Sequence, residues 1–168
     1  MLKWINEAKK LIGTNEYPGS KNNPKIIAWA DEVAEVSSKV NWVDDFYEAD
    51  SIPWCGLFVG VVMTRAGYGA GMPKNPLGAK EWLNFGEKTT PRFGAIMVFS
   101  REGGGHVGFY MSEDSDYYHI LGGNQSDTVN VSKIAKSRFV GARWPTGEGT
   151  VTTKLVKKFD GKVTVNEK

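Results

Sequence analysis

The chain has one cysteine and two histidines among 168 residues, and each scarcity excludes something. A single thiol cannot close a disulfide within the chain or build a zinc site on thiolates, so the fold does not depend on an oxidising compartment. Long apolar runs are missing too. The longest, Leu57 to Met63, is far too short to cross a bilayer. The N-terminus, Met-Leu-Lys-Trp-Ile-Asn-Glu-Ala-Lys-Lys, carries charge in every turn where a signal peptide would be apolar. No membrane span and no signal peptide are therefore expected, which implies synthesis in the cytoplasm. Excess charge is also scarce, with a net charge of only +2. Residues 1–145 hold 16 basic and 16 acidic side chains, and 146–168 hold five and three, so the whole excess lies in the tail. A chain balanced in this way is not expected to bind nucleic acid.

What is present is enough for one globular domain. Forty per cent hydrophobic residues, with six Trp, six Tyr and eight Phe, can form a real core, and 168 residues are too few for two ordinary domains. A monomer is the expected state. Leu2, Ile5, Ala8, Leu11 and Ile12 recur at helical spacing and stop at Gly13. Asn23 before Pro24 fits an N-cap followed by proline at the first helical position, so a second helix is expected from Pro24 to about Val36. Residues 37–53 show no clear period. Leu57, Phe58, Val61 and Val62 then share one helical face, which places Cys55 in the first turn of a buried helix. A short helix is expected over 79–85, with Trp82 packing inward.

From Gly94 the pattern changes to short β-rich runs at 95–100, 106–111, 117–121, 128–131 and 138–144, separated by turn formers. Helices first and strands second predict an α+β fold, with a meandering antiparallel sheet and the cysteine helix packed on one face. This unit is expected to span 1–145. Residues 146–168 read as a basic tail or an added hairpin, with Asp160-Gly161 as its turn.

Chemistry is sparse and therefore easy to search. A thiol at a helix N-terminus feels the unpaired backbone N–H groups and the positive end of the helix dipole, which favour the thiolate, although a lone cysteine is commonly just a small buried apolar residue. A cysteine nucleophile needs a base, and the chain offers His106 and His119. His106 opens a strand after Gly103-Gly-Gly105, beside a loop with no side chains to obstruct a substrate. A third group must hold the imidazole in its productive tautomer. Asn124, in Leu121-Gly-Gly-Asn-Gln-Ser-Asp127, follows two glycines that let the backbone approach closely, and His119 is the alternative.

Pro53-Trp-Cys-Gly-Leu-Phe-Val59, Gly94-Ala-Ile-Met-Val-Phe99, Gly105-His-Val-Gly-Phe-Tyr110 and Leu121-Gly-Gly-Asn-Gln-Ser-Asp127 together resemble the CHAP and NlpC-type cysteine amidohydrolases and peptidases. Glu16-Tyr-Pro-Gly19, Asn22-Asn-Pro24 and Pro73-Lys-Asn-Pro76 resemble a subgroup common in phage and bacterial genomes, so the likeness runs from about residue 4 to 145. It implies a papain-like fold and cleavage of peptidoglycan, with Cys55 as nucleophile, His106 as base and Asn124 as the orienting residue. NlpC-type members use a histidine in the third role, on the strand that holds His119 here. Trp54, Trp82, Gly104, Gly105 and Gln125 are the candidate substrate groove. Calcium-binding CHAP members use an acidic loop near the N-terminus, and the neutral Asn15, Asn22 and Asn23 give no basis for one, so no metal or cofactor is expected.

The expected function is hydrolysis of an amide in bacterial cell-wall peptidoglycan, either as an N-acetylmuramoyl-L-alanine amidase or as a stem-peptide endopeptidase. A wall- or peptide-binding module with a vestigial catalytic pair is the alternative, and a hydrolase of some other amide is a third. Without a signal peptide, access to the wall would come by holin-type release, virion delivery or injection.

Overall fold

Asn23 and Pro24 start a helix for two separate reasons. Asn23 Oδ1 accepts a hydrogen bond from the Lys25 N–H at 3.0 Å, and proline at the first helical position lacks an N–H that would otherwise go unpaired. In the computed structural model, which describes residues 2–149, this helix is α2 (Pro24–Ala34). It follows α1 (Lys3–Lys10), and a single turn, α3 (Val43–Phe46), leads on to α4 (Cys55–Arg65). The turn α3 falls in the segment that showed no sequence period, because one helical turn is too short to display one. The helix α1 ends two residues earlier than its spacing suggests: Gly13, at φ +94°, turns the chain, and its N–H goes to Val129 O at 2.9 Å. The helix α4 is apolar on all sides, and its first nine residues are buried.

The fold is α+β. Six strands, β1 (Glu87–Thr89), β2 (Ile96–Arg101), β3 (Gly104–Glu113), β4 (Tyr117–Gly122), β5 (Asn130–Ala135) and β6 (Phe139–Trp144), form one antiparallel sheet in the order β1-β6-β2-β3-β4-β5. Only β2 to β5 make the expected meander. The last strand returns to pair with β2 and with β1, a three-residue strand that the sequence did not reveal.

Curling of the sheet makes that return possible. Tyr118 on β4 and Phe139 on β6 stand three strand positions apart, about 14 Å in a flat sheet, yet their rings are 5.6 Å centre to centre. Phe99 and Tyr110 join them at 6.2 and 5.8 Å from Tyr118, so the concave face is filled with aromatics. A 3₁₀ turn, Lys136–Arg138, joins β5 to β6 over this cluster. It is tied to the β3–β4 hairpin through the Lys136 ammonium on Glu113 and the Lys136 N–H on Asp116 O, and to β2 through Arg138 Nε on Ser100 O at 2.9 Å.

The convex face carries the main core. Alternation along β3 turns Val107 and Phe109 toward α4, where Phe109 and Phe58 pack edge to face at 6.1 Å. A 3₁₀ segment, Ala79–Asn84, packs on the same side and buries Trp82 where a short helix was expected. The Asp160-Gly161 hairpin lies outside the described residues. Among them, no helix is long and apolar enough to cross a membrane.

Candidate active site

The β3–β4 ladder ends at the Phe109–Leu121 pair, which leaves the first part of β3 without a strand on that side. The start of α4 fills the gap. The Val107 backbone N–H lies close enough to favour the Cys55 thiolate, which puts the thiol near the peptide that directly follows His106. Glycine is required for this wedge. A Cβ on Gly123 would lie 2.7 Å from Phe58 Cβ and 2.8 Å from the Trp54 ring, closer than any side chain can be accommodated without movement. A Cβ on Gly56 would lie 2.2 Å from Pro76 O, so the 76–77 backbone lies directly on the first turn of α4.

Cys55 and His106 are both buried. Burial pushes the Cys55 thiol up, since the thiolate loses its water. The Val107 N–H, the Arg101 charge and the N–H groups of Gly56 and Cys55 itself pull the other way without overcoming that effect. Burial thus favours the neutral thiol, although Cys55 occupies the helix N-terminus that the sequence suggested. Neighbouring Tyr47 is raised far above the usual phenol range, first by burial and then by the charges of Asp50 and Glu16, and its hydroxyl donates to Ile52 O at 2.9 Å.

His106 sits on the concave side of β3, paired with Phe99. Its Nε2 lies 2.9 Å from Gln125 Oε1. A ring nitrogen makes one in-plane hydrogen bond, so this contact occupies the position expected of Asn124. Asn124 is itself buried, in a left-handed turn with φ of +56°, and Ser126 and Asp127 are left-handed as well, at +55° and +63°. The turn thus aims Gln125, not Asn124, beneath the imidazole. Gly122 makes room, because a Cβ there would lie 2.5 Å from Gln125 Oε1 and 3.3 Å from His106 Nε2.

His119 is not the third member. Its Nδ1 is 2.7 Å from Ser112 Oγ and its Nε2 is 2.9 Å from Asp114 Oδ2, which uses both ring nitrogens. Asp114 also accepts from the N–H groups of Asp116 and Tyr117 through Oδ1, so this cluster fastens the β3–β4 hairpin. The alternation of β4 separates the two histidines: His119 and Gly122 lie on opposite faces.

The groove residues also need correction. Trp54 and Trp82 are fully buried, with their indole N–H groups on Glu16 Oε1 and Pro76 O, both at 2.9 Å, so neither lines a groove. Gln125 is buried below His106. Gly104 and Gly105 are partly exposed but belong to β3 rather than to an open loop, and a Cβ on Gly105 would meet Lys80 at 2.9 Å. A surface hollow of about 310 Å³ opens on the loops beside the site, lined by Glu16, Tyr17, Pro18, Gly19, Ser51 and Asp127. No group of three His, Cys, Asp or Glu side chains among the described residues is placed to hold a metal ion.

Sequence reasoning missed Glu16, Asn130 and the Val107 N–H. A backbone donor carries no residue signal, and the other two are ordinary polar residues until the fold brings them close. No known family model matches the chain, and neither does any curated protein or solved structure.

Proposed function

We propose that the chain is a papain-like cysteine hydrolase that cleaves an amide of bacterial cell-wall peptidoglycan. The observation that carries the reading is the place of Cys55, the one thiol of the chain, at the start of α4, where the backbone N–H of Val107, the residue after His106, favours its thiolate. The motifs around Cys55, His106 and Asn124 supply the substrate class, and the α+β order of helices before strands is compatible with it.

The mechanism starts from a neutral thiol. His106 Nδ1 takes the Cys55 proton as sulfur attacks the carbonyl carbon, and the C=O π bond becomes an oxyanion beside backbone N–H groups at the start of α4. Collapse breaks the C–N bond, and the imidazolium returns its proton to the leaving amine. Water then gives a proton to His106 and attacks the thioester, which releases a carboxylic acid and restores the thiol. No cofactor enters these steps.

Turbidity loss of purified cell walls tests the reading. Wild type should clear them, and Cys55→Ala and His106→Ala should each lose at least about a thousandfold in rate while keeping their fold. Clearing by both variants at the wild-type rate would defeat the proposal. Binding to walls without any clearing by wild type would identify a binding module instead. Mass spectrometry of the released fragments separates amidase from endopeptidase.

A further inference from the structure

We propose that Gln125 is the positioning residue of this site and that it holds His106 with its proton on Nε2, so that Nδ1 is the basic nitrogen. The proposal rests on reading Cys55 and His106 as the hydrolytic pair. It follows from counting donors and acceptors around one buried amide.

The Gln125 side-chain NH₂ faces three oxygens: Ile120 O at 3.1 Å, Asn130 O at 2.8 Å and Asn130 Oδ1 at 2.8 Å. An oxygen in that place would meet acceptors only, so the amide is set with Nε2 toward them and Oε1 toward His106. Oε1 can only accept. His106 Nε2 must then donate, and the neutral imidazole carries its accepting lone pair on Nδ1. A flipped amide would require Nε2 to accept, would move the ring proton to Nδ1, and would leave no lone pair there to take a proton from the thiol.

Asn130 keeps the amide from flipping. Its Nδ2 donates to Gln125 O at 3.1 Å, and its Oδ1 accepts from Ser132 Oγ at 2.7 Å as well as from Gln125 Nε2. Side chain and main chain of Gln125 are thus both tied to the start of β5. His106 and Gln125 have no measurable exposure, so bulk water does not replace any of these bonds. The same oxygen stabilises an Nε2–H imidazolium, which makes His106 a better proton acceptor during attack.

Long-range ¹H–¹⁵N spectra of the histidine rings test this without any substrate. They should be recorded about two pH units above the ordinary histidine pKa. The chain has two histidines, and a His119→Asn variant assigns them. Wild type should show His106 protonated at Nε2 and unprotonated at Nδ1. In Gln125→Met the ring should become a tautomer mixture, and alkylation of Cys55 by iodoacetamide at neutral pH should slow about two- to tenfold, with its pH profile moved upward. Asn124→Gly should keep the wild-type tautomer and profile.

An Nδ1-protonated His106 in wild type would overturn the proposal whether or not any variant folds. A folded Gln125→Met with an unchanged spectrum and profile would also overturn it, as would effects confined to Asn124→Gly. Failure of the hydrolase reading is distinct, since walls left intact by a protein with the stated tautomer would remove the substrate and leave the positioning role in place.

Discussion

Trp54 donates its indole N–H to Glu16 Oε1 at 2.9 Å, across 38 residues of chain. Trp54 is the residue before Cys55 and has no measurable exposure, while the Glu16 N–H reaches Asp127 O at 2.8 Å, two residues beyond Gln125. One glutamate therefore ties the approach to the cysteine helix to the loop that carries the histidine's partner. Neither tie is visible in residue spacing.

Glu16→Ala should leave the buried indole N–H without its acceptor at a cost of about 1–3 kcal/mol, measured by urea unfolding. Glu16→Gln keeps an oxygen within reach and should lose much less. Equal stability of Glu16→Ala and wild type would show that the bond contributes nothing.

Cys55 should titrate above the ordinary thiol value of about 8.5, because burial outweighs the surrounding N–H donors. A group raised in the folded state favours folding while it stays protonated, so its contribution is present below the unfolded thiol value and is lost as pH climbs through the folded one. Iodoacetamide alkylation against pH measures this directly, and a midpoint below the ordinary value would contradict a resting neutral thiol.

Asp114 lies well below the usual carboxylate range, first because His119 bonds to it and then because the Asp116 N–H does. A lowered carboxylate stabilises the fold above its unfolded value of about 3.9, and the contribution disappears as pH falls through the folded value. Asp114→Asn should therefore flatten the acid limb of stability against pH below about 4. Identical acid limbs in variant and wild type would remove this role.

Gly56→Ala should push the Pro76–Leu77 backbone off the first turn of α4, at about 1–3 kcal/mol, because the new methyl would fall 2.2 Å from Pro76 O. A variant as stable as wild type would show that the 76–77 loop yields easily.

Much of the fold was legible because local rules agreed with it. Asn23-Pro24 starts α2, the run from Leu57 forms the buried body of α4, and the β-rich runs after Gly94 became strands within a residue or two of their expected ends in most cases. The run at 128–131 is the clearest miss: β5 begins at Asn130, because Thr128 and Val129 bond instead to the chain around Thr14. The place of β6 was not legible either. Its pairing with β2 depends on the curl that brings Phe139 to Tyr118, a property of the assembled sheet.

The sequence by itself determined the α+β order, the helix that begins at Cys55 and the small set of residues able to do chemistry, because periodicity and residue scarcity are local or countable properties. Tertiary structure alone decided which amide faces His106. Asn124 and Gln125 are chemically alike and adjacent, and the choice between them turns on three left-handed residues at 124, 126 and 127 and on three oxygens contributed by Ile120 and Asn130. Hydrogen bonds are directional and reach only neighbours in space, so the partner of His106 emerges only when β4 and β5 close around the turn.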